Sequence, residues 1–277
     1  MTSLLVSSHA AAQALAQEAF VEVQADGSDA WRLDGVVETL RKCVLYGPRS
    51  SPSHPSLLHC SGGVGVIPTD TLYALVCDVE NREAVARLYA AKSVDNPLAK
   101  PLSLLCRGLE DVSKYTAGLS SGAGPGFPNL FRVANATLPG AYTLLLPASK
   151  ALPKSCVLDR RGVPLCKLRR SVGVRLPAHA VTQAILARLP RPLLCTSVSW
   201  TDDPARMHAS RAGLLDFVVA VKDDEQPRRP STVIDLRTGM PRLLRLGGGD
   251  WAPWCVEGAE DASGEPFVAS EQDEDER

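Results

Sequence analysis

The chain has 277 residues, of which 45% are hydrophobic, and its formal net charge at pH 7 is −1. This length and apolar content are sufficient for one large domain or two small ones. No apolar run is long enough to span a bilayer, which excludes an integral membrane protein with spanning helices.

The N-terminal third of the chain is predicted to pass from helix to strand. Residues 1–31 are Ala-rich and are consistent with a helix, and "LDGVVETLRKCVLYG" (33–47) has apolar residues at helical spacing. Three prolines, many serines and two closing glycines make 48–63 a loop. The apolar run "GVGVI" (63–67) then predicts the first buried strand.

A polar break interrupts the apolar sequence directly after this strand. Pro68-Thr69-Asp70-Thr71 separates "GVGVI" from a second apolar run at 72–76, where a simple core strand would continue. We expect Asp70 to cap the turn, with a catalytic base as the alternative, since aspartate side chains often accept hydrogen bonds from nearby backbone amides. Thr71 is the candidate for a hydroxyl that faces a ligand.

The rest of the chain alternates strands and helices. Residues 81–92 form an amphipathic helix with Asn81 as its expected N-cap. This alternation predicts an α/β fold with a largely covered sheet. The further predicted strands are 101–106, 141–148, 171–178, 192–199, 216–222, 231–236 and 241–246, and the further predicted helices are 109–116 and 179–189.

Charge divides the chain into a basic body and an acidic tail. Residues 257–277 hold nine acidic residues and one basic residue, which leaves 29 basic against 22 acidic residues, or +7, in 1–256. We expect a disordered, solvated tail, with a self-masking arm over a basic cleft as the alternative. The expected domains are an N-terminal extension (1–32), one folded domain (33–252) and the acidic tail (253–277).

The eight cysteines form no C-x-x-C pair and show no metal-ligand spacing. Several lie in strand-like runs, so we expect reduced, buried, small apolar side chains of an intracellular protein, without zinc or disulfides. The N-terminus lacks the basic start of a secretory signal. The expected location is the cytoplasm, with no membrane partner and with organelle targeting left open.

Common catalytic motifs do not occur in this sequence. It contains no P-loop, dinucleotide-binding, hydrolase-elbow or zincin motif, and its five histidines have no Ser/His/Asp-like context. Hydroxyl-bearing and cationic side chains instead lie at the ends of several predicted strands. Together they predict a polar cavity with fixed positive charges, suited to a phosphate-bearing ligand and a carboxylate. They are Thr69, Thr71, Lys92, Lys100, Thr143, Ser171, Arg175, Ser197, Ser199, Ser231, Thr232 and Arg245.

Eight ordered blocks in residues 33–250 resemble the YrdC-like family, which contains the L-threonylcarbamoyladenylate synthases. Within this family, the segments "KPLSLLCRGLEDVSKYT" and "LPGAYTLLL" are most similar to those of the YciO branch. The blocks are "GVGVIPTDTLYAL", the helix ending in Lys92, "KPLSLLC", "LPGAYTLLLPASKALP", "SVGVRLPAHAVTQAIL", "PLLCTSVS", "PSTVIDL" and "LLRLGGGD".

The resemblance implies a single domain with a twisted mixed sheet and flanking helices around a positively charged cavity. It also implies a reaction of ATP, L-threonine and bicarbonate, with Mg²⁺, that yields threonylcarbamoyl-AMP and pyrophosphate. A downstream threonylcarbamoyl transferase would use the product for N6-threonylcarbamoyladenosine at position 37 of tRNA. The resemblance assigns L-threonine to Thr71, Arg175, Ser197 and Ser231, and ATP to Lys92, Ser171, Ser199 and Arg245, with no covalent catalytic residue.

Two departures from the family pattern lie in the region assigned to ATP. The K-x-R motif reads Lys92-Ser93-Val94, and the S-x-N motif reads Ser197-Val198-Ser199. Lys100 or the basic loop 154–170 could replace the missing arginine. The alternative function is therefore a binding module that holds double-stranded RNA or tRNA through its cations, with weak or lost catalysis. The 5% aromatic content gives little support for base stacking.

Overall fold

A computed structural model describes residues 20–41, 62–92, 102–119, 129–153, 156, 171–198, 204, 214–223 and 228–250. Ten strands and five α-helices lie in these ranges. The strands are β1 (Phe20–Val23), β2 (Val64–Ile67), β3 (Ala74–Asp78), β4 (Ser103–Leu105), β5 (Tyr142–Pro147), β6 (Ser171–Arg175), β7 (Leu193–Ser197), β8 (Phe217–Val221), β9 (Thr232–Asp235) and β10 (Arg242–Arg245); the helices are α1 (Asp34–Arg41), α2 (Arg82–Ala91), α3 (Leu109–Tyr115), α4 (Leu130–Thr137) and α5 (Ala180–Leu186).

All ten strands belong to one mixed sheet in the order β1-β8-β2-β3-β7-β4-β6-β5-β9-β10. The pairs β1–β8, β8–β2, β4–β6 and β5–β9 are parallel, and the other five pairs are antiparallel. The predicted α/β class with a mixed sheet and flanking helices is therefore confirmed.

The sheet begins earlier in the chain than the sequence indicated. Phe20–Val23 pairs in parallel with β8, and Ala30–Leu33 forms a short 3-10 helix before α1. The expected helix over 1–31 is wrong for residues 20–23, because the alternation of apolar and acidic side chains in "FVEV" suits a strand at the edge of a sheet. Residues before position 33 thus contribute to the folded sheet.

One face of the sheet packs against α2, α3 and α4. Side chains from all three helices share a hydrophobic cluster with alternate residues of the central strands, such as Leu104, Leu144 and Val174. The predicted N-cap of α2 is confirmed, because the Asn81 side chain accepts hydrogen bonds from the amides of Glu83 and Ala84. Helix α4 has no counterpart among the predicted elements.

The opposite face is covered by α1 and α5 over the β8-β2-β3-β7 part of the sheet. Leu33, Val37 and Ile185 belong to a second cluster there, together with residues such as Val76 and Val219. Helix α1 ends at Arg41, and residues 42–47 of the predicted helix lie outside the described residues. On this face β6 presents the polar side chain of Arg175, opposite Val174, and Arg175 belongs to the site described below.

Three of the described cysteines, Cys77, Cys106 and Cys195, are buried, as expected, and Cys156 is half-buried. The other four predicted buried cysteines and the acidic tail (253–277) lie outside the described residues. No helix in the described ranges is long and apolar enough to cross a membrane.

Candidate functional site

The polar break between β2 and β3 is a buried turn that is organised by the hydroxyl of Thr69. This hydroxyl donates to the carbonyl of Leu72 at 2.6 Å and accepts from the amide of Thr71 at 3.2 Å. Thr69 and Thr71 are only 1% and 3% exposed. Because buried polar groups are costly without partners, these internal bonds are what allow a hydroxyl-rich turn at this depth.

Arg175, at the end of β6, lies over this turn. Its Nη2 atom is 2.6 Å from Thr71 Oγ1, 3.1 Å from Asp70 Oδ1 and 3.4 Å from Thr69 Oγ1. The neighbouring Val174 belongs to the cluster on the opposite face, as the alternation of side chains along a strand requires. The structure thus brings together Thr71 and Arg175, two of the residues that were assigned to L-threonine.

The Arg175 guanidinium retains a donor without a partner among the described residues. The whole residue is 5% exposed, yet its Nε atom makes no hydrogen bond to any described group. Leaving a buried N–H of a charged group unpaired costs free energy. A ligand that accepts a hydrogen bond from this atom would remove that cost.

Asp70 has a different role from the expected one. Its Oδ2 atom accepts from the amide of Ala178 at 2.9 Å and its Oδ1 atom pairs with Arg175, with side chains 11% and 6% exposed. The expected turn cap is wrong, since the Thr69 hydroxyl caps the turn and the Asp70 carboxylate fixes Arg175 and the segment after β6. This carboxylate also neutralises part of the Arg175 charge.

Lys92 follows α2 and reaches the end of β7. Its Nζ atom donates to Thr196 Oγ1 at 2.6 Å and to the carbonyl oxygen of Ser197. The Ser197 side chain is exposed, and the residue pairs with Ala74, three residues after Thr71. The register thus places Ser197 close to the segment that holds Thr71, and Lys92 contacts the same end of β7.

Cys195 is a buried free cysteine in β7, next to Thr196. Burial raises the pKa of its thiol to about 11, while the charges of Arg175 and Lys92 oppose that rise. A protonated thiol is a weak nucleophile, so this cysteine acts as a small apolar residue under the site.

A second cluster joins Ser231, Thr143 and Arg245. The hydroxyls of Thr143 and Ser231 lie 2.7 Å apart. Arg245 donates to the Ser231 carbonyl from Nε at 3.2 Å and from Nη2 at 2.8 Å, and its Nη2 atom also lies 3.3 Å from Ser231 Oγ. Ser231 and Arg245, predicted to contact different ligands, are therefore direct neighbours.

The two clusters lie close enough to interact through charge. Arg245 is exposed as a whole residue, but partial burial of its guanidinium lowers the pKa of that group, and the Arg175 charge lowers it further. A like charge nearby disfavours the charged form of the Arg245 guanidinium. Arg175 pairs with a carboxylate and Arg245 pairs with none among the described residues, and guanidiniums of this kind are suited to bind an anion.

The loop after β10 is fastened to β9 by Thr232. Its Oγ1 atom accepts from the amides of Gly247 and Gly249 at 2.9 and 3.1 Å. A Cβ atom at Gly247 would lie 2.1 Å from the Pro230 carbonyl oxygen, so only glycine allows this approach. The predicted hydroxyl at 232 thus holds the loop that follows Arg245.

The remaining predicted site residues lie farther away or outside the described part of the chain. Ser171 begins β6 and pairs with Pro147, at the opposite end of the strand from Arg175. Four residues of strand separate the two by about 13 Å at about 3.3 Å per residue. Lys100, Ser199 and the basic loop 154–170, except for residue 156, fall outside the described residues.

Sequence reasoning did not assign a role to Arg228. Its Nη1 atom donates to the carbonyl oxygens of Thr69 and Thr71 at 2.8 and 3.0 Å, and its Cζ atom lies 4.2 Å from the centroid of the Tyr73 ring. The only sequence signal was an arginine pair before "PSTVID". Because Arg228 lies 157 residues after Thr71 in the chain, local patterns do not indicate this contact.

Metal binding by protein side chains finds no support within the described ranges. They contain no group of three or more His, Cys, Asp or Glu residues that could hold a metal ion. Mg²⁺ is often held mainly by substrate phosphates and water.

A family model and a curated relative match this sequence over most of its length. The family model Sua5_yciO_yrdC, described as "Telomere recombination", matches residues 58–247. A protein called YciO from Escherichia coli (strain K12) is 30% identical over 200 residues, which cover 70% of this chain and 87% of the relative.

Solved structures show the same fold. The crystal structure of E. coli YciO has a TM-score of 0.63 and 27% identity, and the match covers 85% of this chain and 98% of that one. The crystal structure of P. abyssi Sua5 complexed with L-threonine has a TM-score of 0.59 and 23% identity, covering 83% of this chain and 57% of that one. The chain therefore belongs to the Sua5/YciO/YrdC family.

Proposed function

We propose that this protein is an L-threonylcarbamoyladenylate synthase. The observation that carries the proposal is Arg175, a buried guanidinium with an unpaired Nε donor among the described residues, held beside Thr71 and close to Arg245. Such a group is suited to bind a carboxylate, because arginine can donate two parallel hydrogen bonds to it.

L-Threonine is the proposed amino acid. The Sua5 structure from P. abyssi, which has this fold, was solved with L-threonine. In this chain the carboxylate would contact Arg175, and the exposed hydroxyl of Ser197 and the hydroxyls of Thr71 and Ser231 would contact the rest of the amino acid or its carbamate. Thr71 and Ser231 are already fixed by hydrogen bonds to neighbouring side chains, so they would lose little conformational freedom on binding.

ATP would extend from Lys92 toward the second cluster. Lys92, Arg245 and Ser171 are the described residues proposed for it, together with Lys100 and Ser199. The separation of Ser171 from Arg175 requires an extended ligand, which a nucleoside triphosphate is. Mg²⁺ would arrive with the phosphates and reduce the repulsion that an attacking oxyanion meets.

The reaction needs positioning and charge neutralisation. The neutral amine of L-threonine forms a C–N bond to CO2 derived from bicarbonate and loses a proton, which gives a carbamate. A carbamate oxygen then attacks the α-phosphorus of ATP, the bond from that phosphorus to the bridging oxygen breaks, and pyrophosphate leaves. Fixed cations stabilise the charge that develops in this step.

The product would supply a downstream threonylcarbamoyl transferase that modifies adenosine 37 of tRNA. A location in the cytoplasm, where tRNA is available, agrees with this role. In the alternative function, the same cations would hold tRNA or double-stranded RNA without turnover. The buried position of Arg175 favours the enzyme, because a phosphate backbone requires exposed cations.

The proposal is tested by measuring pyrophosphate release with one substrate omitted at a time. We expect release from Mg·ATP only when L-threonine and bicarbonate are both present. A tRNA-binding measurement on the same preparation separates the alternative. No release beside an active family control, together with salt-dependent tRNA binding, would replace the enzyme with the binding module.

A further inference from the structure

The polar turn of residues 69–71 is contacted by two arginines through different groups. Arg175 contacts the side chains of Thr69, Asp70 and Thr71, whereas Arg228 contacts the backbone carbonyls of Thr69 and Thr71. The two guanidiniums thus bind the same three-residue segment by its side chains and by its backbone. The same segment contacts the Arg175 guanidinium, which we propose binds the carboxylate of the ligand.

The Arg228 guanidinium also stacks on the ring of Tyr73, two residues after the turn. Its Cζ atom lies 4.2 Å from the centroid of the Tyr73 ring, and the Tyr73 hydroxyl accepts from the amide of Val221 at 3.2 Å. Tyr73 is 6% exposed, so the ring is fixed by packing as well as by its hydroxyl. A stacked guanidinium that also donates to two carbonyls has few alternative orientations.

We infer that Arg228 is a positioning residue of the L-threonine site, which acts by fixing the direction of the Thr69 and Thr71 hydroxyls. Both carbonyls turn toward Arg228, which orients the peptide units of the turn. The Thr71 hydroxyl then lies 2.6 Å from Arg175 Nη2. The inference rests on the proposed function for the identity of the ligand, but not for the effect of Arg228 on Arg175.

Substitution at 228 therefore changes Arg175 even without a ligand. In Arg228→Gln the two carbonyls lose their shared charged donor, and the turn gains freedom to rotate its hydroxyls away from Arg175. Arg228→Lys keeps the charge but lacks the planar fork and its stacking, so it restores the wild-type properties only in part. Arg229→Gln is the matched control, since Arg229 is an exposed neighbour and the change in net charge is the same.

The experiment has a ligand-free arm and a binding arm on the full-length chain. The first records the ¹⁵N–¹H signal of Arg175 Nε and its exchange with water, assigned by its loss in Arg175→Lys. We expect a displaced, faster-exchanging signal in Arg228→Gln and an unchanged one in Arg229→Gln. The second measures dissociation constants, and we expect L-threonine affinity to fall about 10-fold in Arg228→Gln, with ATP affinity changed less than about twofold.

The outcomes separate this inference from the proposed function. An Arg175 signal that is unchanged in Arg228→Gln would overturn the inference, and so would equal losses of L-threonine and ATP affinity, which indicate a general structural role. If the wild-type chain does not bind L-threonine but the Arg175 signal moves, the positioning of Arg175 stands and the proposed function fails. If Arg228→Gln does not fold, the same comparisons are made with Arg228→Lys, for which smaller changes in the same directions are expected.

Discussion

Arg175 and Arg245 are two cations of the site whose charges interact: burial lowers the pKa of the Arg245 guanidinium, and the charge of Arg175 lowers it further. They come from different strands, β6 and β10, and each is held by a different set of oxygens. Arg175 pairs with the Asp70 carboxylate, whereas Arg245 donates to the neutral carbonyl of Ser231. The pair therefore carries an excess of positive charge that an anionic ligand would neutralise.

The first prediction concerns Arg175. Arg175→Lys removes the forked guanidinium and leaves Asp70 with a less well-placed cation. We expect the activation free energy of threonine-dependent turnover to rise by about 2–5 kcal/mol, by analogy with truncated buried charge pairs. Arg132→Lys, an exposed arginine on α4, is the matched control and should retain wild-type turnover.

Affinity for RNA distinguishes the two proposed functions in the same variants. Backbone binding depends on many interchangeable cations, so Arg175→Lys should leave any tRNA affinity nearly unchanged. Intact turnover in Arg175→Lys would show that the carboxylate contact is assigned to the wrong residue. A steep loss of tRNA affinity, with no turnover in the wild type, would favour the binding module.

A second prediction separates the ATP contacts from the threonine contacts. Lys92→Met removes the ammonium that bridges Thr196 and the Ser197 carbonyl while preserving a chain of similar length. We expect ATP affinity to fall about 10-fold, since a charge-assisted contact is lost, and L-threonine affinity to change much less. Calorimetric titration with each ligand checks this, and a selective loss of L-threonine affinity would reverse the assignment of Lys92.

A third prediction uses inorganic pyrophosphate as a probe of the second cluster. An anion that binds only the folded state raises the melting temperature in a concentration-dependent way. We expect pyrophosphate to stabilise the wild-type protein and to have little effect on Arg245→Met. Arg242→Met, an exposed arginine on the same strand, is the control. Equal stabilisation of all three proteins would place the anion elsewhere.

A fourth prediction tests the loop that follows Arg245. In Gly247→Ala the new Cβ atom would lie 2.1 Å from the Pro230 carbonyl oxygen, whereas in Gly248→Ala the nearest atom is at 3.4 Å. We expect Gly247→Ala to reduce the free energy of unfolding by about 1–3 kcal/mol, as overpacking does, and to weaken ATP binding. Urea unfolding measures the first effect, and Gly248→Ala should stay within about 0.5 kcal/mol of the wild type.

Elements with strong local patterns could be predicted from the sequence. Helix α2 has its N-cap at Asn81, and the two halves of "GVGVIPTDTLYALVCD" contain β2 and β3. Strand β1 could not be predicted, because its four residues follow an Ala-rich segment. Its partner β8 lies almost two hundred residues away. Its structure is therefore set by tertiary pairing rather than by local propensity.

The site was predictable as a set of residue types but not as a network. Strand alternation puts Arg175 on the opposite face of β6 from the core side chain of Val174, which the residue types alone allow. No local pattern indicates that Asp70 pairs with Arg175, or that Arg228 contacts a turn more than 150 residues earlier. Such contacts follow from the packing of distant segments, which local spacing does not encode.

A fifth prediction concerns the pH dependence of stability at the β9 end. Burial alone would raise the pKa of Asp235, but hydrogen bonds and charge from Arg237 outweigh it and lower the pKa below the ordinary value of 3.8. The folded protein therefore binds this proton less tightly than the unfolded chain. The resulting stabilisation is present above about pH 3.8 and is lost as the pH falls through the lowered pKa.

The variant Asp235→Asn measures this effect. Since the pair is partly exposed, we expect the variant to lose about 1 kcal/mol of unfolding free energy near neutral pH. The difference from the wild type should shrink as the pH falls below about 3.8. A difference that grows on acidification would contradict this account of the Asp235–Arg237 pair.

The most direct test of the proposed synthase is the mass of its product. The full-length protein is incubated with Mg·ATP, L-threonine and ¹³C-labelled bicarbonate, and the nucleotide products are analysed by mass spectrometry. The account predicts threonylcarbamoyl-AMP that is one mass unit heavier than the product from unlabelled bicarbonate, with its amount strongly reduced in Arg175→Lys. Pyrophosphate release without this labelled adenylate, or equal amounts of adenylate from both proteins, would contradict the account.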